Sequence, residues 1–432
     1  MFAQKKTSPN IQCIDALVPR SLIACGKGLL QAQITEEGLC PLRMHIKDGC
    51  LNEIEVIQHS KESSLSLLLP RLIEPHAHID KAFTWKSFPN FSGTYQNALQ
   101  ANLEEQKGRT MQKVRDRAER SMKLSLKNGI RAVRSHVDSF DSSGQQTWEV
   151  LKNIKSEWEE FVELQLVALV PLEYWTTKRG KDLARQVSAE GGLLGGVIVP
   201  PYHKANLREL LINFFCLAND MGCGIDIHVD ETSLTPGGGI REIIYVLEQI
   251  DLDIPITCSH LSSMGLLPSN PLKLLAERIA SFNINVVALP FTNFWLLARS
   301  DKTSPIRRPI APIKQLQNAG VNVAIGGDNV QDPWYPGGNF DPLSLMAASM
   351  AFAQIAPWNR LGLSTFTTGA ARIMQLEWDG IIDIGCPADF VLLDADSWAG
   401  AMSTPPIRKV MINGHWIETD DLSLKEGFLS HA

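Results

Sequence analysis

Ten histidines stand in this 432-residue chain, and several fall where a short apolar run ends in polar residues. The first such run ends Pro75-His76-Ala77-His78-Ile79-Asp80-Lys81. Residues two apart on a strand face the same side, so His76 and His78 converge on one point. Later runs end in His228-Val229-Asp230-Glu231, in Ser259-His260 and in Gly327-Asp328. His76, His78, His228 and Asp328 form a set of three imidazoles and a carboxylate with no thiolate. Such a set suits one divalent ion, zinc or iron(II), with a position left open for water. A bound ion lowers the pKa of water from about 15.7 to about 7, so hydrolysis near neutrality is the expected chemistry. Asp328 is placed to accept the proton, Glu231 to pass it to a substrate, and His260 to hydrogen-bond the developing tetrahedral centre. A lone His-x-His is a weak signal; its conjunction with the three later run ends is a strong one.

These residues need elements to hold them. Eight runs recur: Leu67–His78, Ile130–Asp138, Leu164–Leu172, Leu193–Pro200, Gly224–Glu231, Ile254–Ser262, Ile284–Pro290 and Val321–Asp328. Amphipathic segments with helical spacing lie between several of them, at Glu104–Leu126, Asn206–Ala218 and Gly239–Ile250. Strands alternating with helices predict an α/β fold with a parallel sheet, and eight units favour a closed (β/α)8 TIM barrel over an open doubly wound sheet. The polar run ends then lie at the C-terminal face, where barrel enzymes build their sites. Both chain ends read differently. Short runs broken at Lys47-Asp48-Gly49, and again at Gly414, predict hairpins. The expected organisation is a small β-sandwich built from residues 1–66 and 381–432 around a barrel of residues 67–380.

Composition narrows the class. The chain is 44% hydrophobic and 20% charged, which is ordinary for a globular protein. Its 41 Lys and Arg against 47 Asp and Glu leave a formal charge of −6, with no basic stripe for nucleic acid. The eight cysteines include no C-x-x-C pair and read as reduced core thiols. No apolar h-region follows the N-terminus and no run spans a bilayer, so no membrane association and a cytoplasmic location are expected. H-E-x-x-H, P-loop and G-x-S-x-G motifs are absent.

From about residue 15 to about 418 the chain resembles the amidohydrolase superfamily, in particular its cytosine-deaminase-like branch. The resemblance rests on His76-Ala77-His78-Ile79-Asp80-Lys81, His136-Val137-Asp138, His228-Val229-Asp230-Glu231 and Ser259-His260. It extends to Gly327-Asp328-Asn329 running into Asp332-Pro333-Trp334-Tyr335-Pro336, and to the ending Pro387-Ala388-Asp389-Phe390-Val391-Leu392-Leu393. It implies His76, His78, His228 and Asp328 as ligands, Glu231 as proton shuttle and His260 as catalytic histidine. A second metal in this superfamily usually needs a carboxylated lysine at the end of strand four. Gly195-Gly196-Val197-Ile198-Val199-Pro200 carries none, and Lys204 falls further out in a loop expected to be solvated, so one ion is expected. Two departures bear on the substrate. Leu172 stands where cytosine deaminases carry a glutamine, and Gly327 where they carry a histidine. Leucine cannot supply the amide's paired donor and acceptor, so cytosine is not the expected substrate. The Asp80-Lys81 pair is similar to relatives that remove amino or alkylamino groups from triazine and other nitrogen rings.

Several residues carry two readings. Lys81 pairs with Asp80, faces solvent, or contacts substrate; Trp334 is a pocket wall or loop packing. His136 reads as a supporting residue more than a ligand, and Asn329 and Asp332 either orient Asp328 or cap the next turn. Gly237-Gly238-Gly239 reads as a flexible loop rather than an anion site, and Phe291, Phe294 and Trp295 as core. The expected function is hydrolysis of a C–N bond in a small nitrogen heterocycle, releasing ammonia or an amine. The alternatives are opening of a cyclic amide or cleavage of an exocyclic one at the same site, and a non-catalytic barrel, which would be expected to have lost these residues. The expected partner is a small heterocyclic substrate, and the resemblance is compatible with a homo-oligomer.

Overall fold

The computed structural model describes residues 12–24, 34–58, 65–140, 142–203, 206–300, 302–403 and 405–419. Lys204 lies outside them. The chain divides into two compact units. One takes Met1–Ile73, Ser125–Arg131 and Pro342–Ala432, the other Glu74–Leu124 and Ala132–Asp341.

An eight-stranded sheet runs in sequence order through Leu72–Ala77, Ile130–Asp138, Glu163–Leu169, Leu193–Ile198, Ile225–Val229, Ile256–His260, Asn285–Ala288 and Val323–Ile325. The strands pair in parallel, as the alternation of strands and helices predicts. Strands buried on both faces read as continuous apolar runs, and Ile225–Val229 and Ile256–His260 are buried at every position. The sheet nearly closes on itself. Ala77 bridges Asp328 in parallel, and the Asp328 N–H donates to the His76 carbonyl at 3.0 Å. Glu74 secures the same seam: its carboxylate accepts from the Gly327 N–H at 3.0 Å and from the His76 N–H at 3.2 Å. The structure is a (β/α)8 barrel.

The second sheet has seven strands in the order His415–Ile417, Arg408–Ile412, Phe390–Leu393, Ser66–Pro70, Gln12–Pro19, Leu39–Lys47 and Cys50–Val56. Both ends of the chain therefore build one small sheet domain. Its core gathers Ala16, Val18, Leu42, Met44, Leu68, Phe390 and Met411. The expected hairpin forms around Asp48 and Gly49, both at positive φ, with Leu39–Lys47 antiparallel to Cys50–Val56.

Two elements differ from the sequence reading. The run Leu67–His78 is two strands: Ser66–Pro70 joins the seven-stranded sheet and Leu72–Ala77 the barrel. Both halves are buried, so no change of periodicity marks the switch. Arg71 sits at the switch, donating to Asp389 Oδ1 at 3.1 Å and to the Ile130 carbonyl at 2.6 Å. The segment Glu104–Leu126 is also two elements, Tyr95–Lys107 and Met111–Lys127. Gly108 caps the first, and the Arg109 side chain turns inward to Asp80 and Glu105. No helix among the described residues is long and apolar enough to cross a membrane, and the seven described cysteines are unpaired.

The fourth barrel strand carries Gly195-Gly196 for want of room. A methyl on Gly195 would lie 2.9 Å from the Ala168 carbonyl oxygen and 3.1 Å from that of Asp226. Gly195→Ala is therefore expected to destabilise the protein by about 1–3 kcal/mol, read as a lower urea midpoint. An unchanged midpoint contradicts the close strand approach.

Candidate active site

The C-terminal ends of the first, fifth and eighth barrel strands bring four side chains together. Donor atoms of His76, His78 and His228 lie within 4.8 Å of one another, and those of His76, His260 and Asp328 do likewise. Asp328 Oδ1 stands 3.3 Å from His78 Nε2 and 3.6 Å from His76 Nε2. All are buried. His76 Nε2 and both Asp328 oxygens have no hydrogen-bond partner, a costly state for buried polar atoms. Among the described residues these atoms fit a cation better than they fit one another.

Hydrogen bonds behind the cluster decide which face each ring shows it. The Ser259 hydroxyl donates its one proton to Asp226 Oδ1 at 2.7 Å. Its contact with His76 Nδ1, at 2.9 Å, must then be received from an Nδ1–H. The proton is thus on Nδ1, and Nε2 presents a lone pair to the cluster. His78 follows the same logic: Nδ1 lies 3.2 Å from the His136 carbonyl, which can only accept. Asp226 is held charged for this task. Burial pushes its carboxyl up, but His136 and Arg134 prevail and keep it below the ordinary value, with Arg134 Nη1 at 2.9 Å. His136 stacks on His76 with ring centres 3.8 Å apart, so it supports the cluster from beneath. Burial holds His76 and His228 well below the usual histidine range, leaving them neutral, as metal binding requires.

Glu231 and His260 border the cluster. His260 Nε2 lies 3.8 Å from Glu231 Oε2. Its Nδ1 meets the Asn293 amide nitrogen at 3.0 Å; with that NH2 facing Nδ1, the ring proton sits on Nε2, toward the site. Burial lowers the His260 pKa to about 4. Glu231 is pushed well above the usual carboxylate range, first by burial and then by the Asp328 charge. A buried carboxyl of this kind is suited to carry a proton. The backbone is strained here: Asp230, His260 and Asp328 all have positive φ, at 57°, 75° and 62°. Asp230 stabilises its own turn by accepting from the N–H groups of Gly239 at 2.9 Å and Ile240 at 3.1 Å. The Gly237-Gly238-Gly239 stretch is therefore a helix start whose donors are already taken.

A cavity of about 520 Å³ opens onto this cluster, lined among others by His78, Lys81, Leu172, His228, Glu231, His260, Asp328 and Trp334. Leu172 is buried in the turn Leu172–Thr176 after the third strand. Gly196 makes its room, since a methyl there would fall 2.8 Å from Leu172 Cδ2. Trp334 packs edge-on against Tyr95, with centres 4.9 Å apart, so it is both a wall and part of a small core. Lys81 neither pairs with Asp80 nor faces solvent. It is buried, 3.2 Å from Asp138 Oδ1, while Asp80 is taken by Arg109 at 3.0 Å. Glu105 completes the set with Arg109 and Arg117, both at 2.6 Å. Three cations thus balance three carboxylates. Burial pushes Asp138 up, yet Lys81 and Arg109 hold it below the ordinary carboxylate value.

The sequence reading missed Glu74, Asp226 and Arg109. Glu74 and Asp226 each precede a cluster histidine by two, and that period-2 signal was available. The Glu74 side chain itself accounts for Gly327: a side chain there would meet Glu74 Oε2 at 2.8 Å. Arg109 gave no signal, because it read as one charge among many in an amphipathic segment. Asn329 and Asp332 bond each other at 2.8 Å, and Asp332 caps the turn by accepting from the N–H groups of Trp334 and Tyr335. Among Phe291, Phe294 and Trp295, none lines the cavity.

Comparison with known proteins identifies the family. The sequence model of the Amidohydrolase family matches residues 92–416. The chain is 28% identical over 389 residues to the pterin deaminase of Rhizobium rhizogenes, covering 88% of each. It is 24% identical over 365 residues to the N-isopropylammelide isopropyl amidohydrolase of a Pseudomonas species, covering 83% of this chain and 87% of that one. In fold it is similar to the crystal structure of 5-methylcytosine deaminase from Klebsiella pneumoniae with 5-fluorocytosine, at a TM-score of 0.77 and 23% identity over 94% of this chain and 97% of that one. The chain belongs to the amidohydrolase family, among its deaminase-like hydrolases of carbon–nitrogen bonds other than peptide bonds.

Proposed function

We propose that this enzyme hydrolyses a C–N bond of a small nitrogen heterocycle, releasing ammonia or an amine, and that one divalent ion is held by His76, His78, His228 and Asp328. The observation that carries the reading is the convergence of buried, unpartnered donor atoms on the floor of a cavity that also holds Glu231 and His260. The pterin deaminase and the isopropyl amidohydrolase among the relatives support it. The donor set accepts either zinc or iron(II).

When bound, the ion makes water acidic enough to react near neutral pH. The chain's residues do the rest. Asp328 takes the proton that water gives up as it adds to the ring carbon. Glu231, neutral in its ordinary buried state, gives a proton to the adjacent ring nitrogen and so relieves the charge that addition would leave there. His260 donates from Nε2 to the new C–O group and stabilises it. Asp328 then returns its proton to the exocyclic nitrogen, and the C–O–H proton passes to Glu231, so that ammonia or an amine departs as the C=O forms and both carboxyl groups recover their starting states. Lys81 and Trp334 hold the ring from the side, and Leu172 presents an apolar wall where an amide would have gripped a pyrimidine edge.

Three outcomes are expected. Glu231→Gln removes the proton carrier and should cut kcat by at least about 100-fold with metal content unchanged; near-normal turnover contradicts the shuttle. Ser259→Ala frees the His76 tautomer and should weaken metal affinity by about 10–100-fold, read by competition with a chelating dye; an unchanged affinity contradicts the relay. Finally, metal-loaded protein should release ammonia or an amine from at least one pyrimidine, purine, pterin, triazine or creatinine-like ring, and lose that activity to a chelator. Ring opening without amine release would replace the reading with cyclic-amide hydrolysis.

A further inference from the structure

The cavity above the histidine cluster has two unlike sides. One corner is polar. Lys81 and Asp138 stand there as an ion pair, and Asn102, buried and donating from Nδ2 to Asp138 at 3.2 Å, leaves its Oδ1 without a partner. The rest of the lining is mainly apolar, with Leu169, Leu172, Ile198 and Leu207, although Glu173 and Asn206 stand among them. At the mouth, Leu99, Leu103, Phe140 and Val199 line the same cavity while 42%, 45%, 57% and 37% exposed. Large apolar side chains grouped in the open and rimmed by polar ones mark a binding surface. Their continuity with the cavity points to the molecule that enters it. Size agrees: an apolar cavity of about 150 Å³ suffices for benzene, and this one is about 520 Å³. A single ring placed with its reacting carbon at the cluster and its polar edge at Lys81 and Asn102 leaves most of the apolar wall uncovered.

We infer that the substrate is a nitrogen heterocycle carrying a sizeable apolar substituent, an alkyl or aryl arm that passes Leu172 and lies against Leu99, Leu103 and Phe140. The inference takes the ring from the function proposed above; the arm rests on the cavity walls alone. Asn102 Oδ1 and the Lys81 ammonium supply an acceptor and a donor for the ring edge, the pair that Leu172 cannot supply.

The test reads binding apart from turnover. Metal-loaded Glu231→Gln protein is titrated calorimetrically with an aminopyrimidinone and an aminotriazine, each bearing hydrogen, methyl, propyl, pentyl or benzyl. Kd should fall about fourfold per methylene until the cavity is full. The double substitution Leu103→Asn, Phe140→Ser, at exposed positions that the fold tolerates, should remove most of that gain. Unfolding midpoint and metal content establish that each variant is folded. A Kd that is flat or rises with arm length, or a gain untouched by the double substitution, overturns the inference. Product release by the unsubstituted protein reports on the ring chemistry separately. Release with a flat Kd series removes the arm and keeps the hydrolase; a steep series without release keeps the arm and removes the hydrolase.

Discussion

One buried relay governs the site: Arg134 to Asp226, Asp226 to the Ser259 hydroxyl, and Ser259 to His76 Nδ1. A serine has one proton, and here the carboxylate takes it. The imidazole must then donate, and its other nitrogen is forced to face the cluster with a lone pair. The His136 carbonyl does the same for His78. The barrel exists, in this sense, to hold two protons on the far sides of two rings. Each residue of this relay is itself buried, so the relay works without competition from water.

Charge is handled by the same rule of burial with compensation. The cavity wall hides Lys81, Arg109 and Arg117 among Asp80, Asp138 and Glu105. An isolated buried charge is expensive, and a paired set is tolerated when each member is hydrogen-bonded. That arrangement keeps a cation at the cavity edge where solvent alone could not. Glu231 has no such partner beside it, and its carboxyl accordingly favours the protonated form. Two carboxyl groups that line one cavity, Asp138 and Glu231, are thus driven in opposite directions by their neighbours, the pattern by which a site divides binding from proton transfer.

Much of this was legible in the residues. All eight barrel strands overlap runs read from alternation of apolar segments with helical ones, because a parallel sheet buried on both faces writes itself as apolar runs. The polar residues that end those runs are the ones the structure gathers, His76, His78, His228, His260 and Asp328. What sequence could not show was partnership. Lys81 lies beside Asp80 in the chain yet pairs with Asp138, 57 residues on. Arg71 marks a change of sheet inside an unbroken apolar run. Gly327, read as a lost histidine, is the space that Glu74 occupies. Each depends on a long-range contact that neither period nor composition encodes.

The proposed ligand set holds one ion between these rings and Asp328 through defined nitrogens. An anomalous difference map from crystals of metal-loaded protein, collected on both sides of the metal's absorption edge, tests it most directly. One peak is expected, about 2.0–2.2 Å from Nε2 of His76, Nε2 of His78, His228 and an Asp328 oxygen. No peak there, or a peak between His136 and Asp226 instead, would contradict it.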